Sequence, residues 1–162
     1  MSVELREAGP DDLAGIVSVF LDCWRQSYRG VLPDSLVDHM TDEAATDLWS
    51  RGLTAPGATV VVAVRDDVVL GVTRYALAGS TGLVHSLYVS PDARGLGLGR
   101  RLLDRAAADL AAAQATSASL WVFADNAPSI GFYGACGWLP DGATRVQDEF
   151  GEPEIQLRKA LL

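Results

Sequence analysis

Leu13, Ile16, Val17, Phe20 and Trp24 recur at three- and four-residue spacing, which places them on one face of a helix. Gly9-Pro10-Asp11 ends a short strand predicted over Val3 to Ala8. Asp11 is able to cap the helix, which the spacing carries to about Tyr28. Arg29-Gly30-Val31-Leu32-Pro33 interrupts the pattern. Pro33-Asp34 opens a shorter helix, and Asp42 to Leu53 reads as another that carries Leu48 and Trp49. The period then shortens. Thr59 to Val64 is apolar and β-branched, Arg65-Asp66-Asp67 turns, and Val68 to Leu77 follows, a hairpin signal. Gly79 to Gly82 turns again into a third strand, Leu83 to Val89. Pro91 to Gly99 reads as a loop, Arg100 to about Ala115 as an alanine-rich helix, and Leu120 to Phe123 as a short strand. Asn126 caps a helix that ends at Gly137; Gly137 to Leu139 and Glu154 to Leu161 read as closing strands. This order predicts an α+β fold, a mixed and mostly antiparallel central sheet flanked by helices on both faces.

Composition sharpens that picture in a few places. A chain of 162 residues suggests one domain over 1–162, large enough for a hydrophobic core without staples. Cys23 and Cys136 are too few for a disulfide framework and lack metal-ligand spacing, so both read as packed, reduced thiols and no metal is expected. The opening Met1-Ser2-Val3-Glu4-Leu5-Arg6 has no apolar run behind a basic flank, which predicts no secretory leader and a cytoplasmic location. The alanine-rich segment near 106–113 is broken by Asp109, and no stretch reaches the apolar length of a membrane span, so no membrane partner is expected. A net charge of −8 disfavours nucleic acid and favours positively charged ligands.

The sharpest local feature is Arg94-Gly95-Leu96-Gly97-Leu98-Gly99-Arg100-Arg101, which follows a predicted strand and opens a predicted helix. Glycines let a ligand approach the backbone and leave successive N–H groups uncovered. The helix dipole and the free N-terminal amides favour an anion there, and three arginines add charge. Phosphate or pyrophosphate is the natural guest. A nucleotide P-loop would end in Gly-Lys-Ser/Thr, and a dinucleotide fingerprint would read G-x-G-x-x-G beside parallel strands; neither pattern is met. A glycine-rich turn without a ligand stays open on these residues alone.

Val89-Ser90-Pro91-Asp92-Ala93-Arg94-Gly95-Leu96-Gly97-Leu98-Gly99 resembles the acetyl-CoA loop of the GNAT N-acetyltransferase family. Its Q/R-x-x-G-x-G/A signature is met by Arg94, Gly97 and Gly99. Asn126-Ala127-Pro128-Ser129-Ile130-Gly131-Phe132-Tyr133 followed by Gly137-Trp138 resembles a later motif of the family, and Cys23-Trp24-Arg25-Gln26-Ser27-Tyr28-Arg29-Gly30 resembles its first helix and loop. The resemblance spans almost the whole chain. It implies the GNAT fold and transfer of an acetyl group from acetyl-CoA to a primary amine of a small molecule or peptide by direct attack.

The resemblance also implies roles. The backbone of Leu87, Tyr88 and Val89 would pair with the pantetheine arm, and a bulged N–H of that strand would stabilise the oxyanion. The amides of Gly95, Leu96, Gly97, Leu98, Gly99 and Arg100 would hold the pyrophosphate beside Arg94, with Leu96 and Leu98 packing inward. Asn126 would contact the cofactor as well as cap its helix. Tyr133 would protonate the departing sulfur, and Trp24 and Tyr28 would help to form the acceptor pocket.

The general base does not carry over. The positions where relatives keep a glutamate correspond here to Leu83 and Trp121. His85, two residues after Leu83 and on the same strand face by period two, is the replacement candidate; a water chain ending on a carboxylate stays open. A non-catalytic acyl-CoA-binding or sensor domain is the rival reading, and a homodimer is left open.

Overall fold

In a computed structural model describing residues 2–161, the chain forms a seven-stranded sheet of order β1-β2-β3-β4-β5-β7-β6. The strands are β1 (Glu4–Glu7), β2 (Ala58–Arg65), β3 (Val68–Ala78), β4 (Thr81–Val89), β5 (Ser117–Phe123), β6 (Leu139–Val146) and β7 (Pro153–Ala160). The helices are α1 (Leu13–Asp22), α2 (Asp34–His39), α3 (Asp42–Thr54), α4 (Leu98–Ala112) and α5 (Ala127–Ala135). Every neighbouring pair is antiparallel except β4 and β5. The terminal Met1 and Leu162 lie outside the described residues.

Strand alternation divides the core in two. Val61 and Ala63 of β2 point to the face covered by α4 and α5, whereas Val60, Val62 and Val64 point to the face covered by α1, α2 and α3. Helix α4 buries Leu98, Leu102, Leu103, Ala106 and Leu110; each leucine contributes roughly 1.5–3 kcal/mol relative to exposure. The approach is close enough that a Cβ at Gly82 would stand 2.5 Å from Leu110, so glycine there admits the helix onto the sheet.

Several boundaries differ from the sequence reading. The first helix is regular only to Asp22 and continues as a π-helical turn over Cys23–Ser27, a widening that hydrophobic spacing does not reveal. Asp12, not Asp11, immediately precedes it, and its carboxylate closes the 3-10 turn Pro10–Asp12, accepting from the Gly9 N–H at 2.8 Å while paired with Arg6. Helix α4 begins at Leu98 rather than Arg100. The largest difference is β6, expected as Gly137 to Leu139 but running to Val146. Pro140 and Gly142 obscured it; the register slip between Pro140 and Thr144 shows how the strand accommodates them.

Candidate active site

Strands β4 and β5 pair only from Thr81–Val84 with Ser117–Leu120. Beyond that point β4 continues to Val89 against β3, and β5 to Phe123 against β7, with no ladder between them. A bulge marks the parting. Arg74 pairs with Ser86 but Tyr75 with Val84, so His85 is the extra residue. Val84 and Leu87, three apart, therefore reach the same core cluster, which regular alternation would forbid. Two cavities flank the opening, of about 570 Å³ and about 420 Å³. They share walls at Tyr28, Leu87, Tyr88, Asn126, Ser129 and Tyr133.

The larger cavity ends on the glycine loop. Gly95 and Gly97 adopt positive φ of 86° and 71°, conformations that side chains disfavour. A Cβ at Gly97 would meet nothing of the protein within 4 Å, which leaves open space above its backbone. Helix α4 starts immediately afterwards, and its first intrahelical acceptance is by the Gly97 carbonyl from the Arg101 N–H. The amides of Leu98, Gly99 and Arg100 thus belong to the unpaired first turn, a concentration of partial positive charge. Arg94 lines this cavity and donates to the Ser27 hydroxyl, joining the loop to the π-helical turn. Leu98 packs inward as expected; Leu96 does not, being 46% exposed and absent from the cavity wall. The Leu96 side chain falls on the outer side of a turn set by Gly95 and Gly97.

Tyr133 and Tyr88 stand where the cavities meet, and burial raises both phenols above their usual range, Tyr88 to about 12. Asn126 is buried and its Oδ1 accepts from the Ser129 N–H at 3.3 Å, fixing the entry to α5. Phe123, Trp24, Tyr28 and Phe150 stack edge-on or tilted along one side of the smaller cavity. Among the described residues the indole N–H groups of Trp24 and Trp49 find no hydrogen-bond partner, although Trp24 comes near enough to Tyr88 to lower that phenol's pKa against the larger effect of burial.

Leu83, His85 and Trp121 all line the smaller cavity, so the residues considered for the base position share one space. His85 is exposed there, and its pKa is lowered by desolvation and then by Arg74 and Arg145. The sequence reading missed Glu154, Arg145, Gln147 and Arg74 in this wall. Glu154 is 5% exposed and accepts from Arg145 Nε at 2.5 Å and from Gln147 Nε2 at 3.2 and 3.1 Å. Arg145 also covers the Trp121 ring at 4.3 Å. These residues meet through the β6–β7 ladder, where Arg145 stands opposite Glu154, and no local motif announces it. Arg74 comes in from β3.

The fold has counterparts among known proteins. Residues 17–138 match the model of the acetyltransferase (GNAT) family. The chain is 30% identical over 162 residues to the uncharacterized N-acetyltransferase YuaI of Bacillus subtilis (strain 168), covering 97% of this chain and 90% of that protein. It is 26% identical over 151 residues to the probable N-acetyltransferase Rv2775 of Mycobacterium tuberculosis, covering 88% and 83%. The crystal structure of PaiA N-acetyltransferase from Thermoplasma acidophilum, in complex with coenzyme A, superposes with a TM-score of 0.78 at 18% identity over 99% of each chain. With a family match across most of its length and the parted strands and glycine loop in place, the chain belongs to the GNAT family of acetyltransferases.

Proposed function

We propose that the protein transfers an acetyl group from acetyl-CoA to a primary amine by direct attack, with the donor in the larger cavity and the acceptor in the smaller. The observation that carries this reading is the meeting of the two cavities at Leu87, Tyr88 and Tyr133, where β4 has left β5 and its main chain faces open space. A thioester laid along that edge and an amine entering from the other side would come together there.

In this reading the amides of Gly95, Gly97 and the first turn of α4 hold the pyrophosphate, with Arg94 and Arg100 adding positive charge. A β4 amide beside the bulge receives the oxyanion. The amine nitrogen forms the new C–N bond as the C–S bond breaks, and the proton lost by nitrogen balances the proton gained by sulfur. Tyr133, kept protonated by its raised pKa, donates to the departing thiolate. His85 takes the amine proton; its lowered pKa keeps the ring neutral around pH 7. Glu154 is the less suitable base because Arg145 and Gln147 already occupy both its oxygens. Trp24 and Tyr28 form the acceptor wall. The reading places all of this in one domain, and in the cytoplasm.

Free-thiol release from acetyl-CoA with a panel of amines tests the proposal. Amine-dependent thiol release with matching N-acetyl product supports it. Tight coenzyme A binding with no turnover on any amine would replace it with a binding or sensor domain.

A further inference from the structure

Arg74 differs from the other cations of the acceptor cavity. Arg145 is paired with Glu154, but among the described residues Arg74 makes no salt bridge and one hydrogen bond, from Nε to the Gly52 carbonyl at 3.3 Å. Its Nη groups therefore have no partner among the described residues. The residue is half-buried, held between α3 and the sheet: a Cβ at Gly52 would meet Arg74 at 3.6 Å and Trp49 at 3.7 Å. Arg6, Arg29 and Arg105 have aspartate partners that raise their pKa, whereas desolvation lowers that of Arg74 with no opposing carboxylate. A guanidinium drawn partly out of water without a counter-charge is unfavourable unless an anion arrives. This occurs in a chain of net charge −8, where carboxylates outnumber cations.

Resting on the acetyl-transfer reading, we infer that the acceptor is a small amine bearing a carboxylate, which docks on the free Nη groups of Arg74 beside the β4 bulge. Arg74 stands opposite Ser86 in the ladder, with His85 adjacent and Leu87, at the junction of the cavities, one residue further. One to two residues of strand span ~3–7 Å. An offset of one to two ladder positions suits an acceptor whose amine lies a few bonds from its carboxylate, the scale of a free amino acid. A planar fork suits a carboxylate better than it suits a neutral oxygen. Exposed Glu149 is the lining carboxylate left to meet the ammonium group before it is deprotonated.

The test compares free α-, β- and γ-amino acids with their carboxamides and with the decarboxylated amines, all with acetyl-CoA. The carboxylates should show kcat/KM roughly 10- to 100-fold above their neutral counterparts. Arg74→Gln should remove that advantage, read as the carboxylate-to-neutral ratio of kcat/KM within the variant itself, and Arg74→Lys should retain part of it. Neutral amines accepted as well as carboxylates by the unaltered protein overturn the inference while acetyl transfer stands. Should no amine be acetylated, acetyl transfer falls; tryptophan fluorescence of the coenzyme A complex then reads docking directly. Saturable binding of amino acids but not amides, lost in Arg74→Gln, supports the Arg74 site, and absence of such binding overturns it. The comparison within the unaltered protein stands even if Arg74→Gln fails to fold.

Discussion

The Cys23 thiol donates to the backbone carbonyl of Val89 at 3.2 Å, fastening the π-helical turn to the end of β4. Both residues line the larger cavity, so the bond holds two walls of the proposed donor site together. Burial is the main reason the thiol's pKa is pushed up to about 11.

A raised folded-state pKa means that the neutral thiol favours folding. The contribution is whole below the ordinary thiol value of 9.0 and is lost as pH climbs through about 11. At about 1.4 kcal/mol per unit the loss amounts to roughly 2–3 kcal/mol. Denaturation curves of the unaltered protein and Cys23→Ala should therefore converge as pH rises from 8 to 11. A constant gap across that range rejects the assignment.

Gly97→Val should remove most acetyl-CoA binding. The substitution places a β-branched side chain at φ 71° and projects it into space that the protein leaves empty. The left-handed conformation alone costs about 1–2 kcal/mol for a residue with a Cβ, so a thermal melt must first establish that the variant is folded. Calorimetry showing unchanged affinity in a folded variant would displace the pyrophosphate from this loop. Gly99 fails differently: its Cβ would press on Phe132 at 3.1 Å, so Gly99→Ala should disturb the α4–α5 contact more than the ligand.

Tyr133→Phe should lower kcat more than it weakens acetyl-CoA binding. The hydroxyl acts in this proposal only as sulfur departs, and removing an interaction confined to the transition state appears in kcat. Because burial already holds the phenol neutral, no loss of charge accompanies the change. Equal kcat for the Phe variant means that solvent protonates the thiolate.

How much of this was legible in the sequence depends on where each signal is written. Local signals were clear. Asn126 announced the start of α5, and the alternating glycines from Gly95 to Gly99 announced a turn that opens a helix. Features made by pairing distant segments were not. His85 stood out as a candidate base, but its bulge did not, because a bulge depends on the register between β3 and β4, with Arg74 opposite Ser86 and Tyr75 opposite Val84. Glu154 read as the first residue of a closing strand; its burial follows from Arg145 and Gln147, which lie in a stretch that Pro140 and Gly142 made look like loop. The smaller cavity is assembled from α1, the π-helical turn, α3, β3, β4, β5, α5 and the β6–β7 region, so no single window of sequence contained it.

The pH dependence of turnover tests His85. Its pKa is lowered first by desolvation and then by Arg74 and Arg145, so the basic form persists to more acidic pH than for a free imidazole. If His85 accepts the amine proton, kcat/KM falls with decreasing pH along a limb set below the unperturbed value of about 6.5. Acid also removes stability as pH falls from the unfolded-state pKa through the lowered folded one, because protonation is penalised only in the fold. Rates must therefore be normalised to the folded fraction. His85→Ala should abolish the limb and slow turnover about a hundredfold, the low end for loss of a general base. His85→Gln, which keeps a hydrogen-bonding group without a titrating one, should flatten the limb equally and recover part of the rate if the residue merely holds a water. Arg74→Gln supplies an independent check: with one repelling cation gone, the limb should move up in pH. Near-normal activity and an unchanged profile in His85→Ala would show that the histidine is structural and that the amine proton leaves by another route.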